Sequence, residues 1–129
     1  MSLSGKSNIE PKLWGPYFWQ TFHFTAFGYP INPNEIDKET YKTFYISFMK
    51  TLPCDKCSES SQEILNSNLS DLEKGLKSKE HLIKWSYFFH DKVNKKLNTK
   101  SPSFEDFKDN FINRKDSKLF YIMLIILVL

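Results

Sequence analysis

Leu82, Trp85, Phe89, Val93 and Leu97 recur at three- and four-residue steps, the strongest periodic pattern in the chain. They commit the stretch from about Ser78 to Leu97 to a helix with one apolar face. Such a face must be covered by other elements, and the chain supplies only helices to cover it, because no stretch alternates with period two for long enough to read as a strand. Trp19, Phe22, His23 and Ala26 share one face of a first helix that begins near Leu13 and runs to about Gly28, where Tyr29-Pro30 ends it. After a loop over Ile31 to Ile36, Asp37 is the expected N-cap of a second helix whose apolar face uses Tyr41, Phe44, Tyr45, Phe48 and Leu52. A third helix starts at Cys54 and Cys57, carries Ile64 and Leu65, and stops at Asn66-Ser67-Asn68. Ser70 to Lys79 reads as a polar linker or a short irregular turn of helix. Ser103 caps a last short helix through about Ile112, with Glu105 and Asp106 in its first turn to complement the dipole. The class is all-α, with antiparallel packing imposed by the short connections.

At 129 residues this is one domain, large enough to bury a core without structural disulfides. Eighteen Lys and Arg against fifteen Asp and Glu give a net charge of +3, with the two signs interleaved, so no nucleic-acid partner is implied. The aromatic share of 16% leaves room for a planar ligand inside a small helical core, although the codon bias of an AT-rich genome accounts for it equally well.

Residues 1–12 are polar and lack the apolar run of a signal peptide, and they are expected to be a disordered N-terminus. Residues 13–113 form the helical domain, and 114–129 are a basic flank followed by an apolar tail. That tail, Leu119 to Leu129, is eleven residues without a charge. As a helix it spans about 16 Å, roughly half of a bilayer's hydrocarbon core, so it does not cross a membrane alone. It is expected to insert partway, to pair with its counterpart in an oligomer, or to pack as a last core helix, and the basic flank favours a membrane surface.

Leu52-Pro53-Cys54-Asp55-Lys56-Cys57 holds the only two cysteines, in a C-x-x-C spacing. The first turn of a helix would bring the thiols together, and Pro53 discourages helix before Cys54 while suiting one that starts just after it. At that positive helix end, unpaired N–H groups and the macrodipole favour a thiolate. A zinc site would need two further ligands from His23, His81 and His90, which lack the usual paired spacing, so no metal is expected. A thioredoxin-like motif would need a βαβ pattern that is absent, and two inert buried thiols are the bland alternative. A redox-active disulfide is favoured. His90 and Asn94, four apart beside Trp85, Phe89 and Val93, are either a hydrogen-bonded core pair or ligand contacts.

Three blocks resemble the Erv/ALR family of flavin-linked sulfhydryl oxidases, in particular the short forms carried by large DNA viruses. They are Trp14-Gly15-Pro16-x-x-Trp19-x-x-x-His23, then Leu52-Pro53-Cys54-x-x-Cys57, then Trp85-x-x-x-x-His90-x-x-Val93-Asn94-x-x-Leu97. The resemblance implies a bundle of four helices with a short fifth, FAD in its mouth and a homodimer. It implies Cys57 as the flavin-proximal cysteine and Cys54 as the one that meets substrate. The implied cofactor contacts are Gly15, Trp19, His23 and Phe27 from the first helix, and Trp85, His90, Val93, Asn94, Lys96, Leu97 and Lys100 from the fourth helix and the segment after it, with Cys57 itself. Asp91 stands where the family usually has Asn, and Asn98-Thr99-Lys100-Ser101-Pro102 replaces a tighter Gly-Lys-Pro. With no shuttle cysteines, protein dithiols reach Cys54 directly or through a thioredoxin-like carrier, and O2 is the final acceptor. The implied location is host cytoplasm or virion, with the tail as a membrane anchor, or alternatively a soluble protein of an oxidising compartment. The rival reading is a membrane-associated helical interaction protein whose cysteines bind metal or stay reduced.

Overall fold

A computed structural model describes residues 5–113, folded as six helices with no strand among them. These are α1 (Pro11–Phe27), α2 (Glu35–Lys50), α3 (Asp55–Ser67), α4 (Leu69–Gly75), α5 (Lys79–Lys96) and α6 (Phe104–Ile112). The all-α class is as expected from periodicity. The tail call on 114–129 lies outside the described residues, and no helix among those described is long and apolar enough to cross a membrane.

Local chemistry sets the helix starts. Pro11 opens α1, where its missing N–H costs nothing. Asn34, rather than the expected Asp37, caps α2; Asp37 is the third helical residue and returns a bond to the Asn34 backbone, so the two form a reciprocal capping box. Ser78 and Ser103 cap α5 and α6 through their hydroxyls.

Two expectations need correction. The segment Ser70 to Lys79, expected as a polar linker or a short irregular turn of helix, belongs up to Gly75 to a regular helix, α4, because Leu72 and Leu76 fall on one side and are fully buried among the other helices despite their polar neighbours. Gly75 lets this short helix sit against α5: a Cβ there would lie 2.9 Å from Trp85 Cβ. Residues 5–10, expected within a disordered N-terminus, are instead bonded to the 50–55 segment through Lys6, Asn8 and Ile9.

The core lies between α1, α2, α3 and α5, with Phe22, Tyr45, Met49, Leu65, Leu82 and Phe89 buried. Its two buried tyrosines donate to main-chain oxygens: Tyr29 to Leu76 at 2.8 Å and Tyr45 to Phe22 at 3.0 Å. Each bond joins two elements while satisfying a buried hydroxyl. Desolvation pushes the Tyr29 phenol up to about 12 and Tyr45 higher still.

Candidate active site

Cys54 and Cys57 are joined by a disulfide, with Cα atoms 5.3 Å apart, a separation that a disulfide spans without backbone movement. Cys54 is the N-cap of α3: its backbone is extended and its sulfur accepts the Cys57 N–H at 3.3 Å. A sulfur thus takes the place usually held by a Ser or Asp oxygen, and the helix begins inside the redox motif. Ser58 Oγ donates to the Met49 carbonyl at 2.6 Å, which fixes the first turn of α3 to the end of α2.

Cys57 also lines a cleft of about 420 Å³. Trp14, Phe18 and Trp19 wall it from α1, Phe48 and Met49 from α2, and Val93 and Leu97 from the end of α5. Lys56 and Lys96 supply its cations, and Pro11, Gly15, Leu52, Ser60 and Ser61 complete it. An aromatic slot with one cysteine of the disulfide in its wall and two lysines among its lining suits a large planar ring system that carries an anionic extension.

Trp19 is shared with a second cavity of about 190 Å³, lined by His23, His90, Asp91, Asn94 and Ser101 among others. The His90 ring lies flat on Trp19, with centroids 3.6 Å apart and planes 6° from parallel. Beneath it runs a chain of buried polar groups. Ser86 donates its hydroxyl proton to the Ile83 carbonyl at 2.8 Å. Ser86 Oγ therefore accepts from His23 Nδ1 at 3.0 Å, and His23 Nε2 accepts from His90 Nδ1 at 2.9 Å. This assignment leaves both rings neutral and gives His90 Nε2 a free lone pair. Burial, with the neighbouring His90 charge second, pulls His23 down to about 3; burial pulls His90 to about 4 although Asp91 opposes it. Asn94 donates to Ser101 Oγ at 3.0 Å and Ser101 donates to Asp91 at 2.8 Å, which ties the α5–α6 connection to α5. The Ser101 hydrogen bond, and after it Lys95, hold the Asp91 carboxyl below its usual range.

A model of the Erv1 / Alr family matches residues 16–114. The chain belongs to the Erv1/Alr family. Among its relatives, R368 of Acanthamoeba polyphaga mimivirus, named a "probable FAD-linked sulfhydryl oxidase", is 39% identical over 114 residues, 84% of this chain and 78% of that one. An FAD-linked sulfhydryl oxidase of African swine fever virus is 31% identical over 96 residues, 74% of this chain and 77% of that one. In architecture the chain is similar to the FAD-binding domain of Erv1 from Saccharomyces cerevisiae, with a TM-score of 0.71 and 25% identity across 80% of this chain and 94% of that one.

Within this Erv1/Alr chain, the residues expected from sequence divide into three groups. Gly15, Trp19, Cys57, Val93, Lys96 and Leu97 line the larger cavity, and His23, His90 and Asn94 line the smaller one together with Trp19. Trp85, Phe27 and Lys100 line neither. Trp85 is turned into the core against Tyr45, Phe22 and Phe89, because its position on α5 faces α2 and α4 rather than the open end. Phe27 stacks on Phe111 of α6, and Lys100 is exposed beyond α5. The reading from sequence missed Trp14, Phe18, Phe48, Lys56 and Ser101 as cavity residues. Phe48 carries the same periodic signal as any core residue, but Lys56, between the two cysteines, could have been found from its position alone.

Proposed function

We propose that the chain is an FAD-dependent sulfhydryl oxidase that forms disulfides in protein dithiols and reduces O2 to hydrogen peroxide. The observation that carries this reading is Cys57, half of a closed disulfide and part of the wall of the aromatic cleft. The residues present fit the cofactor. Trp14, Phe18, Trp19 and Cys57 would border its ring, Lys56 and Lys96 its phosphates, and His23, His90 and Asn94 its adenosine end.

The chain's own chemistry is thiol–disulfide exchange. A substrate thiolate attacks Cys54 Sγ; the Cys54–Cys57 bond breaks, a mixed disulfide forms and Cys57 leaves as thiolate. Cys57 stands in the first turn of α3 with Lys56 beside it, a setting that stabilises the departing charge. The second substrate thiolate attacks the mixed disulfide, substrate leaves oxidised, and Cys54 leaves as a thiolate that the Cys57 N–H is placed to stabilise. FAD, when bound, would supply the two-electron acceptor that lets the Cys54 and Cys57 thiolates close to the disulfide again, with O2 as final acceptor giving hydrogen peroxide.

Dithiols are the substrate class, reaching Cys54 directly or from a thioredoxin-like carrier. A homodimer is proposed, supported by the exposed apolar residues Leu13 and Tyr17 on α1 and Ile31 and Ile36 nearby in sequence. Viral relatives support a host-cytoplasmic or virion location, with the basic flank and apolar tail as the candidate membrane contact. The interaction-protein alternative is not favoured: the family match and the relatives named as FAD-linked sulfhydryl oxidases speak for the oxidase. The test is peroxide formation from a dithiol in air, expected from the intact chain and absent when Cys54 is Ser. Equal rates in the two would remove the assignment.

A further inference from the structure

We propose that Lys6 and Asn8 are positioning residues for the Cys54–Cys57 disulfide: they tie the end of α2 to the first turn of α3 and set how readily the pair is reduced. Lys6 Nζ donates to the carbonyl of Lys50, the last residue of α2, at 2.6 Å and to that of Leu52 at 2.8 Å, which also accepts the Cys54 N–H at 2.8 Å. Asn8 meets α3 from the other side. Its Oδ1 accepts the Asp55 N–H at 2.7 Å and its Nδ2 donates to Asp55 Oδ2 at 3.2 Å, while the Lys6 N–H reaches the same carboxylate oxygen at 3.4 Å. Between these contacts the Ile9 N–H donates to the Pro53 carbonyl at 2.7 Å, and Trp14 Nε1 donates to the Ile9 carbonyl at 2.9 Å. The strap therefore joins both helix ends flanking the motif to Trp14, a wall of the larger cavity. Asn8 holds a left-handed backbone, φ 39°, a conformation that Asn and Asp tolerate better than most residues.

The chemical consequence follows from where Asp55 stands, next to Cys54. Held by two N–H donors, its negative charge is partly balanced and its main chain starts α3 cleanly, so the Cys57 N–H stays on the Cys54 sulfur. Released, the carboxylate is an uncompensated charge beside that sulfur and the first turn frays. Both changes disfavour the Cys54 thiolate and so the reduced pair, which makes the disulfide a weaker oxidant.

The inference rests on the oxidase reading for its biological meaning, but its test does not need flavin turnover. The full-length protein and its Asn8→Ala, Asn8→Asp and Lys6→Met variants are equilibrated with mixtures of reduced and oxidised glutathione, and the fraction of Cys54–Cys57 disulfide is read by alkylation. The expected result for Asn8→Ala is an equilibrium constant displaced about tenfold toward the disulfide, with Lys6→Met displaced the same way. Asn8→Asp keeps the backbone conformation and the acceptor but sets a second carboxylate against Asp55, so it moves at least as far. Flavin content stays at the parent level, since neither residue lines either of the two cavities that Trp19 joins. Constants within about twofold of the parent in all three variants, or displaced the other way, overturn the proposal. An Asn8→Asp variant equal to the parent while Asn8→Ala shifts would assign Asn8 a backbone role only and also overturn it. Should Asn8→Ala fail to fold by circular dichroism, Lys6→Met and Asn8→Asp decide. A parent chain that makes no peroxide from dithiols defeats the oxidase reading instead, whatever the glutathione equilibrium shows.

Discussion

His90 lies parallel to Trp19 at 3.6 Å while its Nδ1 hydrogen-bonds His23, so a single imidazole joins the aromatic wall common to both cavities to the polar chain beneath it. Stacking of this kind is worth ~0.5–1.5 kcal/mol beyond buried area, enough for several-fold in affinity. Trp19→Ala and His90→Ala are therefore expected to lower the flavin-to-protein ratio of the purified chain and to weaken FAD binding at least several-fold on titration. Unchanged stoichiometry and affinity would return both residues to a packing role.

The same pair predicts an acid-sensitive fold. His23 and His90 bind protons more weakly in the folded chain than in the unfolded one, at about 3 and about 4. As pH falls below the ordinary histidine value, the unfolded chain takes up protons first, so stability is complete above about pH 6.5 and declines as pH drops through about 4, where His90 protonates in the folded chain, to about 3 for His23. The loss by pH 4.5 is on the order of a few kcal/mol for the pair. Unfolding free energies from urea titrations at pH 7 and pH 4.5 should differ by that measure, and His23→Gln should flatten the dependence; a flat profile in the parent chain would show that the pair is charged or solvated.

Cys57→Ser is expected to abolish dithiol oxidation while FAD remains bound, because the cavity walls come from α1, α2 and α5 and not from the sulfur alone. Oxygen uptake and flavin absorbance on the same sample check both halves. Retained turnover would remove Cys57 from the electron path.

Gly75→Ala tests the helix that the sequence pattern concealed. The added methyl would stand 2.9 Å from Trp85 Cβ and 3.2 Å from its Cγ, atoms close to the α5 backbone that have little room to give. Overpacking of this kind costs ~1–3 kcal/mol, so a drop of several degrees in Tm is expected. A Tm equal to the parent's would mean that α4 moves away from α5 freely.

The bundle was legible because its apolar residues recur with helical spacing over long stretches, as Leu82 to Leu97 do, and the redox pair because two cysteines stand beside a proline. α4 was hidden because only Leu72 and Leu76 mark it: a seven-residue helix shows too little of its period, and tertiary burial decides its fold. The strap was hidden for a different reason. Lys6 and Asn8 are polar residues that bond backbone ends of other helices, and no periodicity announces such contacts. Trp85 lies outside the two cavities that Trp19 joins because its ring packs on Tyr45, Phe22 and Phe89, a placement that the four-residue spacing it shares with Phe89 and Val93 does not distinguish. Asp91 and Ser101 bond each other across the α5–α6 connection, a pairing invisible until the loop is folded.

A visible absorption spectrum of the purified full-length protein, recorded before and after a dithiol is added in air, reaches cofactor, disulfide and oxygen together. A flavin spectrum that bleaches on addition of dithiol and recovers as oxygen is consumed and peroxide accumulates is the predicted result. A protein that stays colourless after incubation with FAD, or a bound flavin that dithiol does not bleach, would contradict the assignment of Cys54, Cys57 and the aromatic cleft to one oxidase site.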